Sequence, residues 1–359
     1  MMKSFIGVVV MVLLSIAGAI SVAGTRESEQ SGQSTFTKAD YPRWIEELSN
    51  WGRWGDTDEI GAMNLVTPEK LKEAASLVKS GVSVSLAQLL GPNIMADGRR
   101  SPYQQTRRFP DGYEERLSTE SWTAVPAEEL TLPSHGNASH LDGMAHNIHN
   151  GMFYNGFTYK DVTLENGATK GSIVNLRHGI VTRGVLMDIP RLKGVPYLRA
   201  DERIYVEDLE AWEERAGFKV TPGDALFIRV GHWARLRAEP GETCRSRCPN
   251  AGLDPEVIPW LKERGVAVMG SESGAHDIQP SGYTGGPMQH DVRVPGDITD
   301  HPVHYFALIY LGIQMLDSLD LDALSEVAAQ ENRWEFQLVA APLPINGATG
   351  SPINPIAIF

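Results

Sequence analysis

Asp254-Pro-Glu-Val-Ile-Pro-Trp-Leu-Lys-Glu-Arg-Gly-Val-Ala-Val-Met269 reads as a helix followed at once by a strand. Asp254-Pro255-Glu256 opens the helix with a capping carboxylate and a proline in the first turn, where no amide hydrogen is needed, and Gly265 ends it. Val266 to Met269 is then a short apolar run rich in β-branched residues, the composition of a buried strand. The alternation continues outward on both sides. Helices are expected over Thr67–Lys79, Val206–Arg215, Val303–Leu316 and Asp322–Asn332. Strands are expected at Val82–Leu86, Ser172–Leu176, Gly184–Ile189, Ala225–Val230 and Glu335–Ala340. Helix and strand taking turns without a linker-like gap predict one α/β domain, residues 41–359, with a mixed β-sheet core and flanking helices.

Composition agrees with a globular chain. Of 359 residues, 42% are hydrophobic and 21% charged, which excludes disorder. Two cysteines are too few for a disulfide miniprotein, and a net charge of −13 repels a polyanion, so no nucleic-acid partner is expected. Met1-Met2-Lys3, the apolar run Phe5–Ile20 and the small residues Ser21-Val22-Ala23 have the layout of a secretory signal over residues 1–23. Residues 24–40 read as a flexible leader, and the mature chain is expected in the periplasm or outside the cell, free of the membrane once cleaved; the alternative reading of the apolar run is an uncleaved membrane anchor. In such a compartment Cys244 and Cys248 are expected to form a local disulfide.

The chemistry concentrates in Ser134-His-Gly-Asn-Ala-Ser-His-Leu-Asp-Gly-Met-Ala-His-Asn-Ile-His149. Four of the ten histidines, His135, His140, His146 and His149, fall within it, with Asp142 interleaved. Imidazole nitrogen and carboxylate oxygen are the donors that hold Zn²⁺, Mn²⁺ or Fe²⁺ in hydrolytic sites. In an extended backbone residues 140 and 142 point to one side, whereas a helix beginning at the aspartate would align Asp142 with His146.

Ser139-His-Leu-Asp-Gly-Met-Ala-His146, followed by Asn150-Gly-Met-Phe-Tyr-Asn-Gly156, resembles the H-x-G-T-H-x-D-x-x-x-H motif of the metal-dependent cyclase-like hydrolases, which include bacterial kynurenine formamidase and isatin hydrolase. Asn50-Trp-Gly-Arg-Trp-Gly-Asp-Thr-Asp-Glu59, Thr182–Asp188, Pro222–Arg229 and Gly350-Ser-Pro-Ile-Asn-Pro355 are similar to blocks of the family's longer members. The resemblance implies a swivelling β/β/α fold and a divalent cofactor, one or two ions of Zn²⁺ or Mn²⁺. It implies His140, Asp142, His304 and Asp317 as metal ligands and His146 as general acid/base. The family more often has glutamate where Asp317 stands, and its first histidine falls where this chain has Gly136. His135 is one place early and reaches the metal only if the loop bulges by a residue. Ser271-Glu-Ser-Gly-Ala-His-Asp277 is expected to line the site.

The implied reaction is attack of a metal-activated water on a small amide, lactam, imide or lactone, His146 moving the proton. Trp51, Trp54, Asn64 and Phe153 are candidates for the substrate pocket, with the tryptophans equally suited to anchor the N-terminal segment and Asn64 and Phe153 equally open to a structural role. The family implies a homo-oligomer. The rival expectation is a periplasmic metal- or solute-binding protein without catalysis, for which His146 would have no proton to carry. A serine hydrolase is excluded because Gly270-Ser-Glu-Ser-Gly274 has glutamate where the nucleophile should be.

Overall fold

The strand that begins at Val268 sits in the middle of a nine-stranded mixed sheet. The structure is a computed structural model that describes residues 40–90, 104–108, 127–131, 135–200, 202–239, 250–272, 277 and 301–359. Both cysteines, the apolar N-terminal run and all of the 24–40 leader but Asp40, which opens the Asp40–Leu48 helix, lie outside these residues. In chain order the sheet strands are β1 (Ser83–Ser85), β2 (His140–Asp142), β3 (Ile180–Asp188), β4 (Ala225–Arg229), β5 (Val268–Ser271), β6 (Gln314–Asp317), β7 (Glu335–Ala340), β8 (Gly350–Pro352) and β9 (Ile356–Ile358). Their spatial order is β1-β9-β7-β3-β4-β5-β6-β2-β8. The central four, β3 to β6, pair in parallel, and every pairing outside them is antiparallel.

Parallel neighbours need crossovers, and the helices Val206–Ala216, His232–Ala238, Val257–Arg264 and Pro302–Phe306 supply them. With helices over its faces, the centre of the sheet reads as unbroken apolar sequence, and Ala225–Arg229 and Val268–Ser271 are buried throughout. Trp212, Phe227, Ile258 and Phe306 are among the buried side chains that join sheet and helices in one core. No helix among the described residues is long and apolar enough to cross a membrane.

Two expected elements come out differently. Ser172–Leu176 is a 3₁₀ helix over Ile173–Leu176, because the Ser172 hydroxyl accepts the Val174 amide and caps a turn that its β-branched residues would otherwise extend. The helix expected over Val303–Leu316 is an α-turn at Pro302–Phe306 followed by a π-turn at Ala307–Leu311, and β6 follows. Gly312 ends it with φ +67°, in a left-handed conformation, and its carbonyl oxygen would lie 2.3 Å from a Cβ added at Gly61. Only a pair of glycines fits that crossing.

Candidate metal centre

β2 is three residues long, and its alternation does the placing. Leu141 points into the core, fully buried, while His140 and Asp142 share the other face. Both edges of β2 are paired, Asp142 opposite Met315 on β6 and Gly350 on β8, so the carboxylate rides on a fixed backbone. No helix starts at the aspartate. The chain turns instead, the His146 amide donating to the Gly143 carbonyl at 2.9 Å, and this returns His146 to Asp142. Glycine is needed at the turn, since a Cβ at position 143 would meet the Ile173 side chain at 2.7 Å.

Four imidazoles converge on that carboxylate. The Nε2 atoms of His135, His140 and His146 lie 3.2, 3.5 and 3.6 Å from Asp142 Oδ1. His304 Nε2 lies 3.2 Å from Oδ2. The displaced His135 gets there because His135–Asn137 forms a 3₁₀ turn, which absorbs the extra residue before His140. Its ring packs on bare backbone: a Cβ at Gly350 would sit 2.4 Å from the His135 Nε2. Asp317 closes β6 directly opposite His140, and its carboxylate accepts the Ser318 amide at 2.6 Å while its charge is felt by His304.

The donor set fits a divalent cation. His140 Nδ1 is 2.8 Å from the Ala138 carbonyl, an oxygen that only accepts, so in the neutral ring the proton is on Nδ1 and Nε2 presents a lone pair. That lone pair faces an anionic oxygen with no hydrogen between them. His135 Nε2 and Asp142 Oδ1 are likewise buried and lack hydrogen-bond partners. A cation among these atoms would remove each conflict, and the Ala138 contact has the form of the outer hydrogen bond that orients a ligating histidine. The ligand atoms of His135, Asp142 and His146 all lie within 4.8 Å of one another.

The charges are strongly coupled. Burial alone would raise the Asp142 pKa, but the imidazoles of His146, His140, His135 and His304 around it hold it well below the usual carboxylate range. Burial among other imidazoles pushes His146 down to about 4, so its ring is neutral at pH 7. Burial would also lower His304, but the hydrogen bond and charge of Asp142, helped by Asp317 and Asp277, raise it. His146 has the most open side chain of the four, at 29% exposure against 7–19% for the others.

A match to the family model Cyclase, described as "Putative cyclase", covers residues 34–278. The chain belongs to the Cyclase family. A crystal structure described as that of a novel cyclase is 30% identical to this family member, covers 87% of it and 100% of its own chain, and superposes with a TM-score of 0.73. Isatin hydrolase A from Labrenzia aggregata, bound to benzyl benzoate, is 22% identical over 79% of this chain and 94% of its own, with a TM-score of 0.49. Isatin hydrolase A from Ralstonia solanacearum is 19% identical over 77% and 92%, with a TM-score of 0.48. No curated protein matches.

The expected pocket residues scatter in this Cyclase-family chain. Trp51 donates its indole hydrogen to the Ile309 carbonyl at 2.7 Å and stacks on Tyr310 with centroids 5.4 Å apart, so it anchors the N-terminal segment onto the π-turn after His304. Trp54 packs against the core under the Arg53 guanidinium. Asn64 is exposed and spends its amide hydrogens on Asp58 Oδ1 and the Gly61 carbonyl, within its own turn. Phe153 is wholly closed off from solvent, in a small cluster with Ala145 and Ala168.

The 271–277 stretch also divides. Its residues 273–276 lie outside the described ones. Glu272 is fully buried, and its Oε2 accepts the amides of Val230, Gly231 and His232 at 2.9, 2.8 and 3.3 Å, which ties the end of β4 to the end of β5. Its carboxyl lies close to those of Asp320 and Asp322, but Arg229 and Arg237 already pair with Asp322. Burial pushes Glu272 from its ordinary 4.5 up to about 7, a rise that Arg229 moderates. From pH 4.5 to 7 the folded protein therefore keeps a proton that the unfolded chain has lost, so this group's contribution to stability falls as pH rises through that window. Glu272→Gln removes that titration. Its melting midpoint should fall less than wild type between pH 5 and pH 8, and at pH 8 it should be the more stable by up to a few kcal/mol, at about 1.4 kcal/mol per pKa unit. Parallel pH profiles for the two proteins would contradict this account of Glu272.

Proposed function

We propose that this Cyclase-family chain is a metal-dependent hydrolase that opens or cleaves a small amide, lactam, imide or lactone. One observation carries the reading: four imidazoles gathered from two distant stretches of sequence around one buried carboxylate, with the His140 lone pair facing that anion. The substrate class comes from the resemblance of the Ser139–His146 and flanking blocks to cyclase-like hydrolases.

In this reading His140, Asp142 and His304 hold the cation, with His135 and Asp317 completing its surroundings. A bound Zn²⁺ or Mn²⁺ would supply Lewis acidity, lowering the pKa of water toward about 7 and polarising a carbonyl. Everything else falls to side chains. Asp142 keeps its negative charge against burial because the imidazoles surround it. His140 is held in one tautomer by the Ala138 carbonyl. His146, neutral at pH 7 and the most open of the four, accepts a proton from water at Nε2 and returns it to the departing nitrogen or oxygen.

The test is a hydrolysis screen of aryl amides, lactams, cyclic imides and lactones with purified full-length protein, before and after exhaustive chelation and after readdition of Zn²⁺ or Mn²⁺. Ring opening that disappears with the metal and returns with it is expected. Hydrolysis that survives complete metal removal would overturn the proposal.

A further inference from the structure

The helix that carries His304 lacks its own cap. His301 stands at the N-cap position of Pro302–Phe306 and makes no side-chain capping bond. Pro302, next in line, has no amide hydrogen to satisfy, which leaves the amides of Val303 and His304 exposed at the head of the helix. A carboxylate from elsewhere in the chain takes both. Asp277 Oδ1 accepts the Val303 amide at 2.6 Å and Oδ2 accepts the His304 amide at 3.2 Å. Asp277 is only 1% exposed, and its Oδ2 also lies 3.6 Å from His301 Nδ1.

A second clamp acts on the same turn. The Tyr41 hydroxyl, from the Asp40–Leu48 helix, donates to the Pro302 carbonyl at 2.6 Å. On its far side the turn runs straight into the Ala307–Leu311 π-turn, a geometry with looser hydrogen bonding than an α-helix. Core packing of Val303 and Phe306 holds the buried side of this five-residue helix, and Asp277 holds its head. His304 lies in that first turn, and its Nε2 must come within 3.2 Å of Asp142.

We propose that Asp277 is a positioning residue for the metal centre: its carboxylate holds the first turn of the His304 helix where the imidazole reaches Asp142. The inference rests on the reading of His304 as a residue that holds the cation, and it adds a residue outside the histidine cluster on which the site depends. An outer partner of a metal ligand typically governs affinity by about 10–100-fold. Asparagine at position 277 keeps one acceptor oxygen for one of the two amides, whereas alanine keeps none.

The experiment is a Zn²⁺ titration of the full-length, metal-stripped protein against a chromophoric chelator, for wild type, Asp277→Asn, Asp277→Ala and Thr67→Ala. Thr67 caps a helix by accepting the Lys70 amide at 3.2 Å and serves as the control for losing a cap as such. Asp277→Ala is expected to bind Zn²⁺ about 10–100-fold more weakly, and Asp277→Asn to fall between it and wild type. Thr67→Ala should melt earlier with unchanged affinity. If Asp277→Ala does not fold, Asp277→Asn still decides. Wild-type affinity in Asp277→Asn and in any folded Asp277→Ala overturns the inference alone, as does an equal loss in Thr67→Ala. A wild-type protein that takes up no Zn²⁺ overturns the metal-centre reading first, and this inference with it.

Discussion

Asp142→Asn is expected to abolish divalent-metal binding and, with it, hydrolysis. Asparagine has nearly the same shape and can rest in the same strand, so β2 and its pairing to β6 and β8 should persist. What disappears is the one negative charge on which His135, His140, His146 and His304 all converge. Without it, a cation would have to leave water for a cluster of neutral imidazoles and an amide. The loss should exceed the roughly 10–100-fold that outer partners of a metal site cost. Titration of wild type and variant with Zn²⁺, alongside far-UV circular dichroism, reads both parts. A folded Asp142→Asn protein that binds metal like wild type would remove Asp142 from the centre.

His146→Ala should separate proton transfer from metal binding. General acid–base groups typically contribute about 10²–10⁴-fold in rate, so turnover should fall by that factor while affinity for Zn²⁺ or Mn²⁺ stays within a few-fold of wild type. The side chain is suited to the role by exposure: at 29% it is the most open of the four imidazoles. Burial among the other imidazoles keeps it neutral at pH 7, the form a proton acceptor needs. The geometry also sets the opposite outcome, because His146 Nε2 belongs to the same close group as His135 and Asp142. If metal and turnover are lost together, His146 is a ligand and the proton carrier is another group. If wild type binds metal and turns over nothing, the binding-protein reading replaces the enzyme.

Much of this was legible in the sequence where local chemistry decides structure. Asp254-Pro-Glu and Gly265 bracket the helix found at Val257–Arg264, and Glu335–Ala340 is the strand expected there. The histidine cluster could be read because metal donors are rare residue types and cluster conspicuously. Other features depend on contacts that no local pattern records. The 3₁₀ turn that carries His135 to Asp142 is set by packing against Gly350, far along the chain. The break of the 303–316 segment into α-turn, π-turn and strand follows from the Gly61–Gly312 crossing. Asp277 read only as one residue of a stretch expected to line the site, since its two amide partners lie on another element. Phe153 could be read as pocket or packing residue; the turn at Gly151 (φ +77°) and the packing of Ala145 and Ala168 send it into an enclosed cluster. The Gly350 block is explained in retrospect: a residue with a side chain at that position would displace an imidazole.

The most direct measurement is anomalous X-ray scattering from crystals of the full-length protein grown with Zn²⁺ or Mn²⁺, collected at the metal's absorption edge. The account predicts a peak within coordination distance, about 2.0–2.2 Å, of an Asp142 carboxylate oxygen and of the Nε2 atoms of His140 and His304. A well-ordered map with no peak among those three residues, at metal concentrations that saturate known hydrolytic sites, would contradict it.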